Sequence, residues 1–148
     1  MTWADVLGGV LAGLIATAIW VVCDRVRRFV RLRAKFGRYA GSYSVTAKEE
    51  VEPRSERVAI TVKGNVLAVR FENLPPGDSV SGRILMDDQL RGEGHYWHVK
   101  GGAQLWGFWD VQARDDRTLL VHTTFAVSGT DRLAFEGFRW ERADCVGS

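Results

Sequence analysis

Residues 58–71 read VAITVKGNVLAVRF. Apolar side chains fall at every second position on both sides of Gly64-Asn65, and a period of two is the signature of a half-buried strand. A two-residue Gly-Asn connection is a hairpin turn signal, because Gly supplies the positive φ that such turns require. It pairs Val62 with Leu67, Ile60 with Val69 and Val58 with Phe71 on one face. Turn chemistry and hydrophobic pattern therefore specify the same register.

The same alternation runs through the rest of the chain from Tyr39 onward. Tyr43 and Val45 belong to a first strand, followed by the charged loop AKEEVEPRSE. Beyond ENLPPGD come segments near 79–86, 90–99, 104–113, 118–127 and 132–142, separated by DDQ, KGGA, RDDR and SGTD. That makes eight strands in about 104 residues, with connections too short for crossover helices, so neighbours are antiparallel. The expected fold is mainly β: an eight-stranded antiparallel up-and-down barrel over 39–148, which leaves no open edge. A two-sheet sandwich is the competing arrangement.

The first forty residues have a different character. Trp3–Cys23 is an apolar run with Asp5 as its only charge, and 21 residues at 1.5 Å each make roughly 30 Å of helix, the thickness of a bilayer core. A cleaved signal peptide would have a basic start, whereas Met1–Asp5 carries no Lys or Arg, and the run continues past the small-residue site Ala16-Thr17-Ala18. Residues 1–23 are thus read as one transmembrane helix. Residues 24–38 form a basic juxtamembrane helix, with seven basic side chains against Asp24 alone. Positive charge stays cytoplasmic, which places the amino terminus outside and the barrel in the cytoplasm, at the cell inner membrane. Arg25, Arg27, Arg28 and Arg31 are candidates to meet anionic lipid. Gly9, Gly13 and Thr17 recur every four residues on one face, where small side chains allow close helix approach and a homo-oligomer.

Residues 39–148 carry 13 basic and 16 acidic side chains, a balance that argues against binding a nucleic-acid duplex. Cys23 and Cys145 stand at opposite ends of the chain and suggest no disulfide framework. His95 and His98, three apart on a strand, point to opposite sides, so no metal site is expected. The chain has no nucleophile elbow, HExxH or phosphate-binding glycine loop, and Asp87-Asp88 and Asp115-Asp116 fall in turns; neither an enzyme nor a cofactor is expected. Across Gly101-Gly102, Trp97 opposes Trp106 and His95 opposes Phe108, making strands five and six aromatic on both faces. Polar side chains on such faces give the ligand-binding candidates Tyr43, Arg70, Arg83, Tyr96, His98, His122, Arg139 and Trp140, because arginine beside aromatic rings can clamp phosphate and stack a base.

The membrane helix with its basic flank, WVVCDRVRRFVRLRAK, followed by one compact barrel resembles the transmembrane β-barrel effectors of CBASS antiphage defence. That resemblance implies a lipocalin-like barrel that binds a cyclic nucleotide and a membrane segment that oligomerises and disrupts the bilayer. The family carries two membrane helices, whereas this chain has one. The alternative is an anchored barrel with a filled core whose outer Trp97/Trp106 face docks a protein or the membrane. The interior decides between them: a nucleotide-sized cavity favours sensing, a filled one favours docking.

Overall fold

The computed structural model describes residues 2–126 and 132–143; Cys145 and the side chain of Asp5 lie outside the described part. A single helix, α1 (Trp3–Phe36), passes through one 3-10 turn, Gly37–Tyr39, into eight strands. These are β1 (Gly41–Ala47), β2 (Arg57–Lys63), β3 (Val66–Glu72), β4 (Ser79–Met86), β5 (Arg91–Lys100), β6 (Ala103–Ala113), β7 (Thr118–Ala126) and β8 (Leu133–Arg142). Each pairs with its neighbours in sequence, and β8 returns to β1 with Val45 opposite Trp140, so the sheet closes into an antiparallel barrel. The sandwich is thereby set aside.

Register follows the turn chemistry. Val62 faces Leu67, Ile60 faces Val69 and Val58 faces Phe71, about a turn in which Gly64 has φ +64°, the positive first position of a type II′ hairpin. Gly101 and Gly102 both have positive φ, as a type I′ turn requires, and place Trp97 opposite Trp106 and His95 opposite Phe108.

Inward positions alternate along every strand and are filled. Trp109 stacks on Tyr96 with ring centres 4.8 Å apart and meets Trp140 edge-on at 5.6 Å; Phe71 completes the group, 5.8 Å from Trp140. Aliphatic side chains from β2, β3, β4 and β7, such as Val58, Leu67, Ile84 and Leu119, surround the rings and are wholly buried. Glycine makes the room. Tyr96 lies between Gly82 and Gly107 across the sheet, and a Cβ on Gly107 would stand 2.5 Å from the Tyr96 ring, well inside van der Waals contact.

The connections β2–β3, β4–β5 and β6–β7 lie at one end of the barrel, and the helix closes that end. Phe36 and Tyr39, each about 1% exposed, join the core, and Leu32 packs against it. Lys35 reaches the β4–β5 connection at Asp88 (3.2 Å) and Arg38 reaches β6–β7 at Asp116 (2.7 Å). Arg142 at the end of β8 donates to the Arg38 carbonyl. A division between residues 38 and 39 therefore runs through a packed contact. Before Leu32 the helix leaves the barrel: its apolar stretch has a mean hydropathy of 2.3 and none of it is buried. It is long and apolar enough to cross a membrane.

Candidate functional site

The inward-facing rings leave their own strands with a second, outward aromatic face. Trp97, Trp106 and Phe108 alternate with Tyr96, Gly107 and Trp109 along β5 and β6, so a filled core and an exposed aromatic surface come from the same period of two. Trp106 is 60% exposed, and its ring meets Phe108 edge-on at 5.3 Å. Phe108 in turn meets His95 at 4.9 Å. Across β7 the surface continues to Phe135, which is opposite Thr124, and Leu133, which is opposite Ala126. Phe135 is 77% exposed. Trp97 and Trp106 flank the Gly101-Gly102 turn, so this surface belongs to the end of the barrel away from the helix.

An open groove of about 1290 Å³ adjoins it on the outside of β4–β6, where Arg83, Arg91, Glu93, His95, Phe108 and Asp110 contribute side chains. Glu93 stands directly opposite Asp110, and like charges in cross-strand pairs cost stability. The groove thus offers two cations beside an aromatic ring, together with two carboxylates that would repel a phosphate.

The eight ligand-binding candidates divide by face. Tyr43, Tyr96 and Trp140 point inward and are buried, and His98 is half-buried on the same side. Arg70, Arg83, His122 and Arg139 are exposed on the outside, with Arg139 paired to Glu141 at 3.2 Å. The structure does not bring the arginines together with the buried rings; of the eight, Arg83 alone lines the groove. The barrel wall separates the two sets.

On the helix, Gly9 and Gly13 have open space where a Cβ would be, and the Thr17 hydroxyl donates to the Gly13 carbonyl at 2.8 Å. The basic segment divides by use. Arg25, Arg27, Arg28 and Arg31 are exposed, Arg28 also pairing with Asp24 one turn earlier at 3.0 Å. Lys35 and Arg38 hold the barrel instead. This clamp was missed in the sequence because each aspartate doublet reads as an ordinary turn. In fact the first member serves the turn, Asp87 accepting the Gln89 and Arg91 N–H groups and Asp115 that of Arg117, and the second binds the helix. The available signal was that alternate connections of an up-and-down barrel share an end, and both doublets lie in such connections.

Two buried phenols at the plugged end behave differently. The Tyr43 hydroxyl donates to the Tyr39 carbonyl at 2.9 Å, whereas the Tyr39 hydroxyl and the Trp140 indole nitrogen are buried with no well-formed hydrogen bond among the described residues. Losing a satisfied bond costs about 1 kcal/mol, while an unsatisfied buried group carries a desolvation penalty of about 1–3 kcal/mol. Tyr43→Phe should therefore lower stability by about 1 kcal/mol, and Tyr39→Phe should leave it unchanged or raise it. Denaturant midpoints of the two variants check this ordering.

Burial pushes the Tyr43 phenol up to about 12 against the opposing pull of Arg142, and pushes Tyr96 up to about 12 with help from Glu136. A phenol whose pKa is higher folded than unfolded contributes stability that is complete below its unfolded value near 10 and lost as pH rises toward 12. Melting temperature should hold up to pH 10 and fall from there to pH 12, in step with the tyrosinate absorbance of the unfolding chain.

No protein-family model matches this chain, and no curated protein matches its sequence.

Proposed function

We propose that this chain is a single-span membrane anchor carrying a docking barrel, whose working surface is the outside of the sheet rather than its lumen. The observation that carries this reading is the contrast between the two faces of β5 and β6: Tyr96 and Trp109 fill the interior, while Trp97, Trp106 and Phe108 stand half-exposed. Exposed aromatics concentrated on one end of a domain mark an interaction surface. The basic flank of the helix favours a barrel on the cytoplasmic side of the inner membrane with the amino terminus outside. The aromatic end then faces away from the bilayer, toward a protein partner. The uncovered Gly9/Gly13/Thr17 face supports self-association of the span.

A second reading, sensing of a small anionic ligand as in the CBASS effectors, has the outer groove in its favour. A cyclic nucleotide would lie against Phe108 with its phosphates toward Arg83 and Arg91, and oligomerisation of the span with membrane damage would be the output. Thermal shift of the full chain in detergent micelles with a panel of cyclic nucleotides separates the two. Docking predicts an unchanged Tm. Sensing predicts a rise of several degrees that Arg83→Ala abolishes, with ligand-dependent oligomers lost when Gly9 and Gly13 are replaced by Leu.

A further inference from the structure

The distance between bilayer and barrel is fixed by one uninterrupted helix. From Cys23, the last apolar residue of the span, to Leu32, the first to pack on the core, there are nine residues, roughly 13 Å of α-helix. The headgroup layer occupies about 5–8 Å of that on each side of a bilayer core. What remains is close to the Debye length of about 8 Å at physiological ionic strength. The clamp of Lys35 on Asp88 and Arg38 on Asp116, with Phe36 and Tyr39 buried in the core, aims the β2–β3, β4–β5 and β6–β7 connections at that surface.

Charge is distributed to match. Residues 24–39 carry seven basic side chains against Asp24, and these three connections two basic and four acidic, whereas the described connections at the opposite end, 48–56, 73–78 and 101–102, carry two basic and five acidic. Two of the five acids at the helix end are already paired with Lys35 and Arg38. Arg25, Arg27 and Arg31 on the helix, with Arg91 and Arg114 at the barrel rim, are exposed and make no ion pair among the described residues.

The geometry points to a barrel seated on the membrane: its helix-bearing end rests on anionic lipid headgroups, contacted by Arg25, Arg27 and Arg31 together with Arg91 and Arg114. This rests on the helix being a membrane span, and it adds a lipid-facing surface to the barrel itself. The partner is a phosphate-bearing lipid surface, because arginines that make no ion pair and lie on the membrane-facing side of the barrel are drawn to negative surface potential.

The test uses the full chain with Cys23 and Cys145 replaced by Ser, reconstituted into vesicles containing a headgroup-labelled quenching lipid. A dye is placed at Gln89→Cys in the β4–β5 connection or at Lys100→Cys at the far end. In vesicles with one third phosphatidylglycerol, the Gln89 dye should be quenched at least threefold more than in pure phosphatidylcholine, and the Lys100 dye should be quenched in neither. Arg91→Glu with Arg114→Glu should return the Gln89 signal to the phosphatidylcholine level without changing the far-ultraviolet circular dichroism. Equal quenching at Gln89 in the two lipids, or stronger quenching at Lys100, overturns the seat while leaving the anchor standing. Release of the chain from vesicles by alkaline carbonate overturns the anchor, and the seat with it.

Discussion

Replacing Phe36 by alanine should cost the barrel about 3–5 kcal/mol, the usual penalty for removing a large ring from a closed core. The residue belongs by sequence to the basic juxtamembrane helix, yet its side chain is 1% exposed among core residues of the barrel. The flanking Lys35 and Arg38 hold the helix backbone where it is. Collapse into the cavity is therefore limited, which puts the cost toward the upper part of that range. In a domain of this size the loss corresponds to well over ~10 °C in melting temperature. The full chain in micelles, melted with near-ultraviolet dichroism of its tryptophans as the signal, gives the number. The same contact predicts that a soluble piece starting at Leu32 melts cooperatively and well above one starting at Arg38, which lacks Phe36. Equal melting of the two pieces would show that the plug contributes nothing.

Gly94→Ala is the second large expected effect, and it acts through backbone rather than packing volume. Gly94 lies between Ile84 on β4 and Trp109 on β6, and a Cβ there would collide with the carbonyl group of Arg83. A side chain can rotate out of a clash; a carbonyl inside a paired strand moves only if the ladder moves with it. Overpacking of a tight site costs about 1–3 kcal/mol even where side chains can yield, so a loss above ~3 kcal/mol, or failure to accumulate folded, is expected. Gly64→Ala is the control. It adds the same methyl where no atom lies within 4 Å, but at φ +64°, so it should cost about 1–2 kcal/mol through conformation alone. Denaturant titration followed by tryptophan emission ranks the two, and a smaller effect at Gly94 than at Gly64 would contradict the pinch.

The barrel was legible because its information is local. Gly64-Asn65 and Gly101-Gly102 specify tight turns, tight turns set register, and register decides which of Tyr96 and Trp97 points inward. All three steps use residues within a few positions of one another. The helix was legible for the same reason, from an uninterrupted apolar run ending in arginines. What stayed hidden depends on elements brought together from afar. Tyr39 reads as the start of the first strand by alternation, whereas it forms a 3-10 turn because the chain must bend from the helix axis into β1 while keeping the ring in the core. Lys35 and Arg38 read as further members of the basic juxtamembrane helix; they are occupied by aspartates some fifty and eighty positions away. The candidate ligand residues depended on which face each strand turns inward. With that face known, Arg70, Arg83, His122 and Arg139 lie outside the wall that encloses Tyr43, Tyr96 and Trp140, and no single pocket joins them.

The closure of β1 on β8 also imposes an order of events during synthesis. On the proposed anchor, the helix leaves the ribosome before the strands and enters the membrane while they are still being made. At about 5–20 residues per second, the residues between Val45 and its partner Trp140 take roughly 5–20 s to follow. During that interval β1 has only β2 to pair with, and Phe36 and Tyr39 have no complete core to enter. The nascent chain is then an inserted helix trailing an unclosed sheet, with its apolar plug exposed beside the bilayer. Chaperones that act on this protein would meet it in that state, and the last strand to leave the ribosome is the one that ends it.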